Sequence, residues 1–297
     1  ACAYLMVEGD RAAFVENNTT HSVPRLLAEL ERQGLSPEQV EYAIITHVHL
    51  DHAGGSSALL EHCPNATLLA HPKAARHVIQ PERLIQSSRA VYGDETYEKL
   101  YGEIKPVDES RVRTMEDGAE LEFGSRTLRF VHTRGHADHH FCIYDSGSEG
   151  IFTGDSFGIG YRKLQSQVPF LYPSSTPTQF HPEEARKSVA RIRGTGAKRA
   201  FLTHFGAFED MESGERQMLA GLDHFERLLS DAVAADAEGE ELQRFCEEGM
   251  RGYFQDKLVA HGLVLSEAEW KLLNLDVGIN AMGIAHAAGR LRKKGAS

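Results

Sequence analysis

The residues best able to do chemistry lie in one short segment, Thr46–Gly55, which reads Thr-His-Val-His-Leu-Asp-His-Ala-Gly-Gly and follows an apolar β-type run. A spacing of two lets His47 and His49 point the same way in an extended or turning chain. Asp51 and His52 come one turn later. The pattern therefore predicts two adjacent metal ions, with His47 and His49 on the first and Asp51 and His52 on the second. Imidazole and carboxylate together suit zinc, iron(II) or manganese rather than calcium.

Three further candidate ligands stand at the ends of apolar strands. His136 follows a predicted strand at 128–131 and would complete the first site, and His204 ends a predicted strand at 199–203 and would serve the second. Asp155 follows Gly154 at another strand end, where a carboxylate can bridge two ions. A single histidine at the end of a strand is an ordinary hydrogen-bonding residue about as often as it is a metal ligand. The repetition of one kind of placement at three strand ends favours ligands.

The ordered motifs THVHLDHAGG, TRGHADHH, FTGD and LTHFG resemble the successive metal motifs of the metallo-β-lactamase superfamily, over roughly residues 1–208. The resemblance implies an α/β (α+β) fold, a four-layer αββα sandwich with a C-terminal helical extension. It also implies metal-ligand roles for seven residues: His47, His49, Asp51, His52, His136, Asp155 and His204.

The same resemblance suggests which residues support these ligands. His140, four residues past His136, matches a supporting histidine of the glyoxalase II-like branch, and Asp138 is expected to hydrogen-bond a ligand histidine. The family usually has an aspartate near the first strand turn, where this chain has Asn17 and Asn18.

The predicted reaction is hydrolysis of an ester-like bond, a thioester or a lactone, in a small-molecule substrate. Two divalent ions per chain, taken as Zn²⁺ with Fe or Mn as alternatives, are expected to hold a bridging hydroxide as the nucleophile. Asp51 and Asp155 are the predicted catalytic residues. The predicted substrate contacts are Tyr161, Arg162, Lys163 and Tyr172, the two cations for an anionic group and the tyrosines for an apolar one.

Two other functions remain open at this point. The ligand set also suits a diiron protein that binds oxygen or transfers electrons, and a long helical addition suits a signalling or binding protein with a vestigial metal site. Fold alone does not choose among the three.

Composition restricts the partners and the compartment. The net charge of −11 over 297 residues argues against nucleic-acid binding. No apolar run reaches the roughly 18 residues of a membrane span, so no membrane partner is expected. Four scattered cysteines favour a reduced, cytoplasmic setting. The chain starts without methionine inside a predicted strand, and at this point it stays open whether a segment precedes it.

Strands and helices alternate through residues 1–210, which we predict to be the catalytic domain. Residues 211–297 are predicted to be a helical region that covers the active site. Its three apolar stripes at helical spacing predict helix packing and permit a homodimer: Met218, Leu219, Leu222, Phe225, Leu228 and Leu229; Leu242, Phe245, Met250, Phe254 and Leu258; Trp270, Leu272, Leu273 and Leu275.

Overall fold

The computed structural model describes residues 1–164, 169–175 and 179–295, and its backbone packing divides the chain into two compact units. The first unit comprises Ala1–His132, His139–Gly154 and Thr195–Phe208. The second comprises Thr133–Asp138, Asp155–Gly194 and Glu209–Ser297. The predicted division at residue 210 and the predicted covering role of 211–297 stay predictions.

The first unit contains a five-stranded sheet in the order β1-β2-β3-β4-β5. A turn at Gly9 and Asp10 joins β1 to β2, which pair antiparallel, and the later strands pair parallel. The strands are β1 (Tyr4–Glu8), β2 (Arg11–Val15), β3 (Val40–Ile44), β4 (Thr67–Ala70) and β5 (Val112–Thr114).

Helices connect these parallel strands, as crossover connections require. They are α1 (Val23–Arg32), α2 (Leu50–Ala53), α3 (Ser56–His62), α4 (Pro72–Ile79), α5 (Glu82–Tyr92) and α6 (Asp94–Tyr101). The helical region between residues 72 and 101 is interrupted at Pro81 and Gly93, as the sequence predicts. Gly93 has φ +77°, a conformation that glycine adopts without strain.

The second sheet of this unit has six strands in the order β11-β10-β9-β8-β7-β6, parallel between β9 and β10 and antiparallel elsewhere. Its strands are β6 (Glu120–Phe123), β7 (Arg126–His132), β8 (Phe141–Asp145), β9 (Gly150–Gly154), β10 (Arg199–Leu202) and β11 (Gly206–Phe208). The sequence analysis missed β11, because three residues are too few to show a period.

Two apolar clusters hold the layers of the first unit together. Between the sheets, Val15, Ile44 and Leu69 of the first sheet pack with Phe130 and Phe152 of the second. The other face of the first sheet packs against α1, α3 and α4. Alternate residues of β2, such as Phe14 and Val15, therefore face the helices and the second sheet in turn. This helix–sheet–sheet arrangement confirms the predicted α/β class.

The second unit is mainly helical, with α7 (Pro182–Gly194), α8 (Met211–Ala234), α9 (Gly239–Ala260) and α10 (Glu267–Gly295). The predicted stripes of α8 and α9 are largely buried, but Phe245 is 37% exposed and Leu275 of α10 is 56% exposed. For these two residues the prediction of helix packing is wrong. Among the described residues, no helix is both long enough and apolar enough to cross a membrane.

The composition of residues 290–294 predicts a basic helix end that is simply solvated. In the structure this end of α10 also binds a neighbouring helix. The guanidinium of Arg292 donates hydrogen bonds to four carbonyl oxygens, those of Ala232 and Val233 in the last turn of α8 and those of Ala235 and Ala237 just beyond it. The last carbonyls of a helix have no partner within that helix. Arg292 therefore caps α8 and joins it to α10.

Lys257 of α9 generates a prediction about pH. Its amine lies over the rings of Phe170 and Tyr253 and donates a 3.5 Å hydrogen bond to Gln217. Burial lowers the pKa of this amine from its ordinary 10.5 to about 8. Between pH 8 and 10.5 the unfolded chain thus binds more protons than the folded one, so stability rises with pH there. We expect Lys257→Met to raise the free energy of unfolding at pH 7 by about 1–2 kcal/mol, allowing for screening and the ring contacts.

The measurement is denaturant unfolding of both proteins at pH 7 and at pH 10. The advantage of Lys257→Met should shrink at the higher pH, where the buried amine is already neutral. Lys271→Met, at an exposed position on α10, is the matched control. An advantage that is equal at the two pH values would contradict the assignment.

Candidate metal centre

The predicted ligand segment lies between β3 and α3 in the first unit. Beyond Ile44 the chain extends to His49 and then forms the single turn of α2, which carries Asp51 and His52. His47 and His52 are fully buried. The Nε2 atom of His47 lies 2.8 Å from Nδ1 of His49, so the spacing of two does bring these rings together.

A second group of donors gathers around Asp51. Its Oδ2 atom lies 3.2 Å from Nε2 of His204 and 3.5 Å from Nε2 of His52. One potential ligand atom from each of these three residues lies within 4.8 Å of the others. His204 occupies the turn between β10 and β11 rather than the end of a longer strand, and this tight hairpin directs it back toward Asp51.

Glu16, a residue that the sequence analysis missed, lies beneath both groups. Its carboxylate is buried, and its Oε1 atom accepts hydrogen bonds from the hydroxyls of Thr46 at 2.6 Å and Thr203 at 3.0 Å. The same oxygen lies 2.9 Å from Nδ1 of His52. The supporting carboxylate thus stands directly before Asn17 and Asn18, the position at which the family pattern usually has an aspartate. Its position at the end of β2 was the available signal.

These contacts set the tautomers of two histidines of the candidate donor set. A carboxylate accepts, so Nδ1 of His52 carries the proton and Nε2 keeps its lone pair. The Thr46 hydroxyl donates to Glu16 and therefore accepts from Nδ1 of His47, 3.0 Å away, which also keeps the Nε2 lone pair of His47. One buried charge thus fixes the tautomers of His47 and His52, as supporting partners of metal ligands commonly do.

The backbone around Glu16 is bent sharply to make these contacts. Glu16 and Asn18 have φ values of +66° and +55°, in the left-handed region that residues other than glycine seldom adopt. The bend lets the Asn17 amide donate to the His52 carbonyl at 2.8 Å and the Gly55 amide donate to the Asn18 carbonyl at 2.7 Å. A Cβ at Gly55 would lie 2.3 Å from the Asn17 carbonyl oxygen. The second glycine of the Ala-Gly-Gly sequence is therefore required for the two loops to interlock.

The end of β9 closes on the same place. Gly154 has φ +49°, and a Cβ there would lie 2.5 Å from both Nε2 of His140 and the Thr46 hydroxyl. The ring of His140, wholly buried, stacks on His47 with their centroids 4.8 Å apart. His140 is therefore positioned to support His47, the role that the sequence resemblance implies for it.

The second unit holds the remaining predicted ligands. His136 and Asp155 are both buried, with Nε2 of His136 3.5 Å from Oδ2 of Asp155 and Nδ1 of His136 3.1 Å from the Ser174 carbonyl. They border a narrow cleft of about 250 Å³, counting solvent at its mouth. Other residues that line it are Arg134, Pro173, Phe180, Met218 and Leu222. The carboxylate of Asp138 accepts from the guanidinium of Arg134 at 2.7 Å, and its role beside a ligand histidine stays a prediction.

The predicted substrate contacts differ in their accessibility. Tyr161 is partly buried and donates a 2.9 Å hydrogen bond to Asp276, and Arg162 is exposed on a short 3₁₀ turn. Tyr172 has no exposed surface and lies in the interior of the unit, and its contact with a substrate stays a prediction. The side chain of Lys163 lies outside the described part of the structure.

A serine nucleophile has one candidate, since Gly154-Asp155-Ser156-Phe157-Gly158 has the G-x-S-x-G spacing of a nucleophile elbow. Such an elbow leads from a strand directly into a helix. Here a turn follows β9, and the next α-helix in the described chain begins at Pro182. The Ser156 hydroxyl donates to the Thr133 carbonyl at 3.2 Å. The motif is therefore not a nucleophile elbow.

The donor set of the first unit fits divalent metal ions. It consists of four imidazoles and one carboxylate in two groups. His47 and His49 form a close pair, and Asp51, His52 and His204 form a cluster of three. Nitrogen-rich sites of this kind suit zinc and other transition metals. Glu16 could also count as a ligand, since it lies within 4.8 Å of His47 and His52, but the donors already around its Oε1 favour a supporting role.

Removal of the Glu16 carboxylate should weaken metal binding. In Glu16→Ala the hydroxyls of Thr46 and Thr203 and Nδ1 of His52 lose their acceptor, and the tautomers of both histidines are no longer fixed. We expect metal affinity to fall by about 10- to 100-fold, the usual effect of losing a partner of a ligand. Competition with a chelator measures this, with Glu41→Ala, which breaks a partly exposed pair with Arg11, as the control. Equal affinities in the two variants would contradict the role of Glu16.

Comparison with known proteins agrees with this geometry. The protein ST1585 of Sulfurisphaera tokodaii, described as metallo-β-lactamase fold-containing, is 26% identical over 226 residues, 74% of this chain and 80% of that protein. Its crystal structure has a TM-score of 0.65 at 19% identity, covering 95% of this chain and 91% of that one, a likeness of fold. This likeness and the mixed sheets with C-terminal helices confirm the predicted sandwich.

Two enzymes share shorter stretches. Hydroxyacylglutathione hydrolase of Aeromonas hydrophila is 26% identical over 154 residues, 51% of this chain and 44% of that enzyme. Atrochrysone carboxyl ACP thioesterase of Aspergillus chevalieri is 32% identical over 124 residues, 41% of this chain and 30% of that enzyme. Each match spans less than half of the enzyme concerned.

The family model described as metallo-beta-lactamase superfamily matches residues 7–204, about two thirds of the chain. That range contains the whole of the donor set described above, together with Glu16, His136 and Asp155. The chain belongs to the metallo-β-lactamase superfamily.

Proposed function

We propose that this protein is a metal-dependent hydrolase that cleaves a thioester in a small-molecule substrate, with a lactone as the alternative ester-like bond. The observation that carries the proposal is the paired donor set of the first unit, oriented from beneath by Glu16. Most members of the superfamily are metal-dependent hydrolases, and the intact set argues against a vestigial site.

Two ions per chain are proposed, because the pair His47 and His49 and the cluster of Asp51, His52 and His204 are separate groups of donors. Further roles for His136 and Asp155 as ligands rest on their sequence motifs and their buried mutual contact, and they stay predictions. Bound divalent ions would lower the pKa of a coordinated water and polarise the carbonyl group of a substrate.

The chain's own residues would then have distinct tasks. Glu16 holds His47 and His52 with their Nε2 lone pairs outward. The carboxylate of Asp51, 37% exposed, can accept a hydrogen bond from an attacking water and so orient it. The buried rings of His47, His52 and His140 leave little room for bulk water on the inner side, which strengthens each of these electrostatic contacts.

The relatives favour a thioester over a lactone. Hydroxyacylglutathione is itself a thioester, and the second enzyme is named as a thioesterase. Within the second unit, the cleft beside Asp155 has apolar walls from Phe180, Met218 and Leu222 and a cation from Arg134. These features suit an acyl group with an anionic substituent.

The test combines metal analysis with a substrate panel. We expect elemental mass spectrometry of the purified protein to give about two zinc ions per chain, and the metallated protein to hydrolyse acyl thioesters faster than lactones. His49→Ala should lose metal and lower kcat/KM by more than about 100-fold, since several kcal/mol of charge stabilisation depend on the ions. His62→Ala, at an exposed histidine on α3, is the matched control.

Different outcomes would exclude the proposal in different ways. A metallated protein with no turnover on either class of ester would overturn the hydrolase assignment. Two irons per chain with an oxygen-sensitive visible band would establish the redox alternative instead. A protein that takes up less than one metal after reconstitution would leave the vestigial reading.

A further inference from the structure

Helix α10 is apolar on two opposite faces. One face packs against α8 and α9 and forms part of the core of the second unit. The buried residues on it are Leu273, Val277, Ala281, Ile284 and Ala288. A helix that is apolar on both sides is normally covered on both sides.

The opposite face carries a second row of residues, which we call the outer stripe: Ala268, Leu272, Leu275, Ile279, Met282 and His286. Successive members are four and three residues apart, the spacing with which paired helices interlock side chains. Leu275 is 56% exposed, Ala268 and His286 are also exposed, and Ile279 and Met282 are partly buried. Leu272, also partly buried, lies at the edge of the stripe, where it packs against the core of the second unit. The stripe runs for about 27 Å along the helix, at 1.5 Å per residue.

We propose that the outer stripe is a dimerisation surface, on which the same stripe of a second copy of this chain packs in the antiparallel direction. A symmetric dimer places the same patch on both partners, so the patch must complement itself. The outer stripe does so through its repeated spacing, since Leu275 of each copy would lie near Met282 of the other when the two-fold axis passes near Ile279.

The charges at the two ends of α10 determine the direction. The helix begins with Glu267, which is exposed, and ends with Lys293 and Lys294, which are exposed as well. In the antiparallel pair the acidic start of each helix lies beside the basic end of the other. A parallel pair would place like charges together at both ends, which is unfavourable.

The backbone beside the stripe leaves room for a partner. Gly278 and Gly289 flank it, and a Cβ built at either would meet no atom within 4 Å. Side chains of a second helix can therefore approach the backbone there, which helps two helices reach the 8–10 Å separation of close packing.

The first experiment measures mass in solution over a dilution series of the full chain by light scattering. We expect the wild type to reach twice the 32.9 kDa of one chain. Leu275→Glu should raise the dissociation constant by at least about tenfold, because it buries a charge at the centre of the interface. Val259→Glu, at an apolar residue 78% exposed on α9, should leave it unchanged. Thermal unfolding of each variant verifies that it is folded.

A second experiment tests the direction, and it also stands if Leu275→Glu fails to fold. In a Cys2→Ser background, Ile279→Cys lies near the two-fold axis and should form a disulfide between copies under mild oxidation. Ala268→Cys should not, because its two copies lie at opposite ends of the pair. Cross-linking of both variants would overturn the antiparallel arrangement.

Other results would overturn the surface itself. One such result is a wild-type protein that stays monomeric at every concentration, whether or not it binds neutral phospholipid vesicles. Another is a dimer that Leu275→Glu and Val259→Glu weaken equally. Each would assign the exposed stripe to something other than a second copy of this chain.

Discussion

A buried carboxylate has a high free-energy cost unless donors surround it, and Glu16 meets this requirement with the residues that the metal centre needs. Two threonine hydroxyls and one imidazole converge on one of its oxygens. Thr46 follows β3 and Thr203 follows β10, His52 lies on α2, and Glu16 itself follows β2, so the contacts join strands of both sheets. The contacts therefore serve the fold and the site together, because the sheets cannot shift relative to each other without separating the carboxylate from its donors.

The strained backbone beside Glu16 is explained by the same requirement. Left-handed φ values at Glu16 and Asn18 cost on the order of 1 kcal/mol or more each, and the amide–carbonyl bonds to His52 and Gly55 offset that cost. Glycine at positions 55 and 154 allows the neighbouring backbone to approach within distances that any side chain would block. Small residues thus surround the histidines because the histidines and their support need the volume.

The second unit shows a different balance between sequence and packing. Arg292 and Leu275 lie on the same helix, and each departs from its expected role. The basic residue is bound to carbonyls in the last turn of α8, while the apolar residue is exposed to solvent. From residue type alone, Arg292 would be solvated and Leu275 would be buried. Residue type does not reveal which side of a helix meets its neighbours, so the prediction is wrong for both.

Much of this protein was determined by local sequence. The alternation of elements, the breaks at Pro81 and Gly93 and the convergence of His47 with His49 follow from periodicity, turn chemistry and a spacing of two, which act over a few residues. Only the tertiary structure decided that Glu16 lies against Thr46 and His52, that Tyr172 is interior and that Leu275 of α10 is exposed. Each of these depends on residues distant in the chain, such as Thr203, which lies 187 positions from Glu16. Local patterns cannot specify such contacts, because they depend on how whole strands and helices pack.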